Sequence, residues 1–170
     1  MLIVISGLPG TGKSAVAAGL AARSAAVHVS IDPIEDALLG SGLPAARETG
    51  VAAYEAARAV AEQNLALGLT VVVDAVNDSE PARYTWRAAA ATTGTHLAFV
   101  VLVLDDLVEH RRRLETRRRD LAHLPEPSWD EVMARANAYA PWSDGECMRL
   151  DARRSVDELV MELAGRLAGR

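Results

Sequence analysis

The chain has 170 residues, which fits one compact domain, and half of them are hydrophobic, enough to build a core. Charged residues make up 24% of the chain, which disfavours disorder, and no run of 18 apolar residues predicts a membrane span. A net charge of −5 disfavours a nucleic-acid partner, and a lone cysteine, Cys147, excludes an internal disulfide and fits a cytoplasmic protein.

Short apolar runs alternate with helical stretches from the first residue onward. The apolar runs predict strands at 2–6, 27–31, 69–74, 96–104 and 147–151. Helices are predicted at 13–23, 47–67, 79–91 and 105–119, and capping boxes at Ser128 and Ser155 indicate two more helix starts. Continuous apolar strands that alternate with helices are typical of a five-stranded parallel sheet with helices on both faces, here in a single domain, 1–170.

A glycine-rich loop joins the first strand to the first helix. It has the pattern G-x-x-x-x-G-K-S, formed by Gly7, Leu8, Pro9, Gly10, Thr11, Gly12, Lys13 and Ser14. In that context the backbone N–H groups bind phosphate oxygens, the lysine reaches the β- and γ-phosphates, and the serine hydroxyl is a ligand of Mg²⁺. Lys13 is the only lysine beside 17 arginines, as expected where a slim ammonium group is required. The loop predicts a three-layer P-loop NTPase fold that binds ATP and Mg²⁺.

Two aspartates follow predicted strands, Asp32 after the second and Asp74 after the third. Phosphoryl transfer to an alcohol needs an acceptor for the hydroxyl proton near the γ-phosphate, and Asp32 is the candidate for that base. The alternative for Asp32 is a helix cap before Pro33. Asp74 is expected to orient the acceptor hydroxyl or to hold Mg²⁺ through water, and its alternative is a turn-forming residue.

Six arginines lie between positions 111 and 119. Arg113 and Arg117 are four residues apart, so one helix face is expected to carry both to the phosphates, where they would neutralise charge in the transition state. The alternative is a solvated face paired with acidic neighbours. The prolines and short helices that follow predict a lid at about 111–142.

These residues resemble the small P-loop kinases, which include polynucleotide kinase, chloramphenicol phosphotransferase, gluconate kinase and the zeta-toxin kinases. The stretch from Asp74 to Trp86, with Asn77 inside it, is similar to the corresponding region of polynucleotide kinase. The resemblance implies that Asp32 is the general base, that Asp74 contacts the acceptor, and that Arg113 and Arg117 lie on a lid over the ATP phosphates.

The chain departs from the polynucleotide kinases at Glu35. Those enzymes carry there an arginine that grips the acceptor's phosphate, whereas a carboxylate repels a phosphorylated acceptor. We therefore expect a neutral or cationic small molecule, such as a sugar, aminosugar, nucleoside or antibiotic-like compound, and we expect no nucleic acid and no membrane. Tyr54 and Arg58, four residues apart, are candidates for the acceptor pocket, with core packing and a surface position as the alternatives.

The sequence leaves the role of three aromatic residues open and indicates structural roles for the histidines. Trp129, Tyr139 and Trp142 are expected either to pack the lid or to stack on a ring. The four histidines have no ligand spacing, so no zinc site is predicted. Two further functions remain as alternatives, a 5′-hydroxyl polynucleotide kinase and a nucleotide-dependent regulatory ATPase without an acceptor. A homo-oligomer is possible.

Overall fold

The structure is a computed structural model that describes residues 1–167, in which strands and helices alternate. The strands are β1 (Leu2–Ser6), β2 (Val27–Ser30), β3 (Val71–Ala75), β4 (Leu97–Val103) and β5 (Cys147–Asp151). The helices are α1 (Lys13–Ser24), α2 (Ile31–Gly40), α3 (Arg47–Ala66), α4 (Glu80–Thr93), α5 (Leu107–Thr116), α6 (Trp129–Ala138) and α7 (Val156–Leu167). No helix within residues 1–167 is long and apolar enough to cross a bilayer.

All five strands pair in parallel, in the order β2-β3-β1-β4-β5, so the predicted parallel sheet is confirmed. Asp74 pairs in register with Ile5 of β1 on one side and with Ser30 of β2 on the other. In this order β2 and β3 lie on one side of β1, and β4 and β5 lie on the other. Such a switch point opens a crevice at the carboxyl ends of the strands, and the loop after β1 lies there.

Helices cover both faces of the sheet, as predicted. One apolar layer joins the sheet to α1 and α7, and the other joins it to α3 and α4. The α3 side is packed through Ala53, Ala57 and Ala61, which are fully buried and recur every four residues. Small residues on one helix face let α3 pack closely against α4 and the sheet.

The second strand is shorter than predicted. It ends at Ser30, which occupies the capping position of α2, so Asp32 lies in the first helical turn. The prediction of a strand end at Asp32 is therefore wrong, and so is its alternative as the capping residue. Pro33 explains the early helix start, because a proline in the first turn removes an N–H group that would have no helical partner.

The helix after β4 is also shorter than predicted. It begins after Asp106, whose carboxylate accepts from the N–H groups of Val108 and Glu109, and it ends at Thr116. Arg117 has an extended backbone (φ −61°, ψ 149°) and starts a loop to α6, residues 117–128, that we call the lid loop. Arg113 and Arg117 therefore do not share one helix face.

Candidate active site

The glycine-rich loop wraps the start of α1 as its sequence predicts. Gly10 and Gly12 both have φ of +90°, a conformation that side chains rarely adopt. A Cβ atom at Gly10 would also lie 3.2 Å from the ring of His110. These two positions therefore require glycine for backbone geometry.

Lys13 is buried at the start of α1, with 4% of its surface exposed. Burial lowers the pKa of the Lys13 ammonium, while the nearby carboxylates of Asp32 and Asp74 oppose that shift. An ammonium group that burial has removed from water favours an anionic ligand, because the ligand would supply the missing solvation.

A buried carboxylate on β3 lies near Lys13. Asp74 Oδ2 accepts a hydrogen bond of 2.6 Å from Ser14 Oγ, and Asp74 Oδ1 lies 2.7 Å from His28 Nε2. Burial raises the pKa of Asp74, but hydrogen bonds from His28 and Ser14 and the charge of Lys13 outweigh it and hold the pKa below its ordinary value. An ionised carboxylate beside a serine hydroxyl fits the oxygen ligands that Mg²⁺ prefers.

The candidate base is held by the lid loop. Asp32 Oδ2 lies 2.6 Å from Arg119 Nη1, and Arg119 Nε lies 2.5 Å from Glu126 Oε1. Arg117 Nε donates a bond of 2.7 Å to the other oxygen of Glu126. Burial and the charge of Arg119 lower the pKa of the Arg117 guanidinium. The two arginines therefore share one counter-ion, beside the glycine-rich loop.

A second contact fastens the lid loop to α2. Asp36 lies one turn after Asp32, and its Oδ1 atom accepts bonds of 2.7 and 2.8 Å from the backbone N–H groups of His123 and Leu124. A Cβ atom at Gly40 would lie 2.7 Å from the His123 ring, so α2 and the loop are in close contact there. Helix α2 and the lid loop therefore form one wall.

A cleft of about 920 Å³ opens between α2, α3 and the start of α4. Asp32 and Glu35 line it from α2, and Tyr54 lines it from α3. The remaining lining residues are Ile31, Ala46, Arg47, Gly50, Val51, Glu55, Val76, Asp78, Ser79, Glu80, Pro81, Ala82, Tyr84, Thr85 and Arg135. Asp32 therefore lies near both the cleft and Lys13, so it connects the cleft to the glycine-rich loop.

Comparison with known proteins places this geometry in a family. A family model described as an AAA domain (AAA_33) matches residues 2–139. The chain belongs to this AAA-domain family. No curated protein sequence matches this AAA-domain protein.

Solved structures similar to this AAA-domain protein share its fold. A sugar kinase from Janibacter sp. HTCC2649 is 16% identical, with a TM-score of 0.74 over 98% of this chain and 94% of that chain. A gluconokinase from Sinorhizobium meliloti 1021 is 22% identical, with a TM-score of 0.66 over 98% and 90%. The APS kinase CysC of Mycobacterium tuberculosis, solved with AMPPNP and APS, is 21% identical, with a TM-score of 0.69 over 98% and 96%. The AAA-domain chain therefore has the P-loop kinase fold.

Several residues predicted to bind substrate have structural partners instead. Asn77 is fully buried with φ of +54°, its amide nitrogen donates to Ser6 Oγ, and its amide oxygen accepts from Trp86 Nε1. Arg83, also fully buried, donates to the Asn77 carbonyl. The stretch that carries the resemblance from Asp74 to Trp86 is thus partly a packing motif, because its asparagine is buried and both polar atoms of its side chain have protein partners.

Two arginines that were predicted to bind the acceptor or the ATP phosphates have other partners. Arg58 pairs with Glu55 and Glu62 along the surface of α3, so it is a solvated residue and does not line the cleft. Arg113 Nε lies 2.6 Å from Glu109, and its Nη1 donates to the Ala152 carbonyl after β5. Pairing with these neighbours turns Arg113 toward β5, whereas the positive charges that reach Lys13 come from Arg117 and Arg119.

Four residues of the candidate site were not predicted from the sequence alone. Arg119 was part of the cluster of six arginines, Glu126 lay in the proline-containing segment after it, and Asp36 had no motif around it. His28, expected to be structural, contacts Asp74 because β2 lies beside β3 in the sheet. An acidic residue one turn after the candidate base was the available signal for Asp36, whereas strand order, which placed His28, cannot be read from residue types.

The aromatic residues predicted to pack the lid or stack on a ring, Trp129, Tyr139 and Trp142, are half-buried and contact other protein groups. Tyr139 Oη donates to the Val76 carbonyl, and the Trp142 ring lies 5.0 Å from that of Phe99. Trp129 meets the ring of His110 edge-on at 5.3 Å.

Proposed function

We propose that this protein is an ATP-dependent phosphotransferase that moves the γ-phosphoryl group to a hydroxyl group of a small molecule. The observation that carries the proposal is the position of Asp32. Its carboxylate lines the cleft and lies close enough to Lys13 for its charge to oppose the burial that lowers the pKa of that ammonium group. A base between a phosphate loop and an open cleft has the placement that transfer to an alcohol requires.

In the proposed reaction, the acceptor oxygen forms a bond to the γ-phosphorus while the bond from that phosphorus to the β,γ-bridging oxygen breaks. ADP leaves with the electron pair, and the hydroxyl proton passes to the Asp32 carboxylate. Lys13 and the N–H groups of the loop stabilise charge on the phosphates. Because little covalent chemistry falls to the protein, its contribution is position and charge.

Ser14 and Asp74 are the residues that would hold Mg²⁺, the serine directly and the aspartate through water. The bound ion would neutralise negative charge on the β- and γ-phosphate oxygens. The low pKa of Asp74 supports this assignment, because a carboxylate that stays ionised attracts a cation throughout the physiological range. His28 would keep the carboxylate oriented.

Arg117 and Arg119, rather than the predicted pair with Arg113, are the cations that we assign to the transferred group. Both already lie beside the glycine-rich loop, and both are held there by Glu126. A γ-phosphate would draw Arg119 away from Asp32 and leave the base free to accept a proton. The ion pair in the structure is thus proposed to be the resting arrangement of the site.

Measurement of ADP release tests the proposal. The protein is incubated with Mg·ATP and a library of sugars, aminosugars, nucleosides and aminoglycoside-like compounds, and products are examined by mass spectrometry for an added phosphoryl group. We expect at least one small alcohol to raise ADP release well above the acceptor-free rate. Labelling of 5′-hydroxyl oligonucleotides alone, or one slow rate with every compound, would contradict the proposal.

A further inference from the structure

One carboxylate in the cleft has no cationic partner among residues 1–167. Among the acidic residues that line the cleft, Asp32 pairs with Arg119, Glu55 with Arg58, Asp78 with Arg135 and Glu80 with Arg87. Glu35 has neither an ion pair nor a hydrogen bond within the described residues 1–167. Charges that line ligand sites are arranged to complement the ligand, so the unpaired one is informative.

Glu35 is also partly removed from water. Burial, and then the charge of Asp32, raise the pKa of Glu35, while the guanidinium groups of Arg135 and Arg119 lower it without coming within ion-pair distance. A Cβ atom at Gly50 of α3 would lie 3.6 Å from Glu35 Oε1, so the carboxylate extends across the cleft toward α3. A half-buried, uncompensated negative charge is costly unless a ligand brings a positive charge to it.

We infer that the acceptor carries a positively charged amino group that pairs with Glu35 when its hydroxyl group contacts Asp32. This inference rests on the proposed function, because it names the acceptor class of the same site. The acceptor is then an amino alcohol, an aminosugar or an aminocyclitol.

The helix sets the spacing of the two contacts. Asp32 and Glu35 are three residues apart on α2, so they share one face, with Cβ atoms about 5–6 Å apart. The ammonium group and the reacting hydroxyl group are separated by a comparable distance. That length spans a six-membered ring and excludes acceptors too short to reach both carboxylates.

Arg47 is the feature of the cleft that favours a different ligand. It is exposed at the rim, and it would attract an acceptor that bears a phosphate or carboxylate. Glu35 lies deeper, beside the candidate base, and would repel such a group from the reacting end of the cleft. Anionic analogues therefore belong in the test as the competing outcome.

The test compares charged and neutral members of matched pairs in the ADP-release assay. Glucosamine is paired with N-acetylglucosamine and glucose, 2-deoxystreptamine with myo-inositol, and glucose 6-phosphate is the anionic competitor, within a wider set of amino and neutral alcohols. We expect amino acceptors to have a kcat/KM about 10- to 100-fold higher than their neutral partners. Glu35→Gln should remove that preference, whereas Glu55→Gln, which removes a carboxylate already paired with Arg58, should keep it.

The possible failures are distinguishable. If neutral or anionic acceptors react as well as amino acceptors, or if Glu35→Gln keeps the preference, the cation inference is wrong while the kinase function stands. If no compound raises ADP release, the proposed function is wrong and the inference falls with it. The comparison of acetylated and free amines uses the unaltered protein, so it remains decisive even if the Glu35 variant does not fold.

Discussion

Arg119 Nη1 lies 2.6 Å from Asp32 Oδ2, so a cation of the lid loop contacts the first turn of α2. The same helix receives two backbone hydrogen bonds from the lid loop at Asp36. The helix that carries the candidate base and the loop that carries the candidate phosphate-binding arginines are therefore joined at two points, one turn apart. Five predictions follow from this arrangement and from the buried charges around it.

Replacement of Asp32 by asparagine should preserve ATP binding and lower kcat by about 10²- to 10⁴-fold, because the amide cannot accept the hydroxyl proton. Turnover is measured with the acceptor found in the ADP-release screen, and ATP binding is measured by calorimetry. Asp157→Asn, at an exposed position of α7 outside the site, is the control and should retain most of kcat. Equal turnover in the Asp32 variant and in the unaltered protein would eliminate Asp32 as the base.

Loss of Arg117 or Arg119 should reduce kcat by a factor of roughly 10³, since each is proposed to neutralise charge on the transferred group. Arg118 provides the control, because it lies between them in sequence and is exposed, with a single hydrogen bond from its Nη1 to the Arg117 carbonyl. Single alanine variants at all three positions are compared in the same assay. A loss as large at Arg118 as at its neighbours would show that the effect is general to the loop.

Asp74→Asn should weaken the magnesium-dependent part of nucleotide binding by about 10- to 100-fold. The reason is that the variant loses the ionised oxygen that Ser14 and His28 hold in place. ATP affinity is measured with Mg²⁺ and with excess EDTA, and the difference between the two values should shrink in the variant. An undiminished difference would place the magnesium site elsewhere.

Lys13→Met should not lower the melting temperature of the ligand-free protein, although it should abolish the rise in melting temperature that ATP produces. Burial disfavours the charged form of Lys13, and a methionine of similar length removes that cost. Thermal melts with and without Mg·ATP measure both effects. A strongly destabilised ligand-free variant would mean that Asp32 and Asp74 already compensate the ammonium group fully.

Glu35→Gln should raise the melting temperature at pH 7. The folded-state pKa of Glu35 lies above its ordinary value of 4.5, so folding favours its protonated form. For such a carboxyl group stability falls as pH rises from 4.5 through the folded pKa. The gain over the unaltered protein should therefore be present at neutral pH and disappear below pH 4.5, as followed by thermal melts from pH 4 to pH 8. A gain that is equal at all pH values would exclude titration of Glu35 as its cause.

Residue patterns predicted the phosphate loop and the sheet because both depend on local chemistry. Glycines with left-handed φ, a lone lysine and a serine are required at fixed spacing, and buried parallel strands read as continuous apolar runs. The partners of the arginines were not accessible in the same way. Arg113 and Arg117 satisfied a helical spacing, but the helix ends at Thr116. Arg113 then pairs with Glu109 one turn earlier, and Arg117 pairs with Glu126 across the lid loop.

Asn77 illustrates a different limit. Its position after β3 suggested contact with the acceptor, yet its side chain links Ser6 at the end of β1 to Trp86 on α4. A polar residue near a strand end looks the same in sequence whether it contacts a ligand or satisfies a buried partner. The full burial of Trp86 decides between the two roles, because its buried indole N–H group requires the hydrogen bond that Asn77 accepts.

The link that Asn77 forms between β1 and α4 also distinguishes the part of the site whose geometry is fixed from the part whose residues can vary. Because it fastens the segment after β3 to the strand that leads into the phosphate loop, the spacing between the two halves of the site is a property of the scaffold. Apart from Tyr54, whose hydroxyl group accepts from the Asn77 N–H group, the residues that line the cleft from α2 and α3 make no hydrogen bond to Asn77 within residues 1–167. For the proposed phosphotransferase, substitutions among them should redirect acceptor choice in evolution or in the laboratory without resetting the distance over which the phosphoryl group would travel.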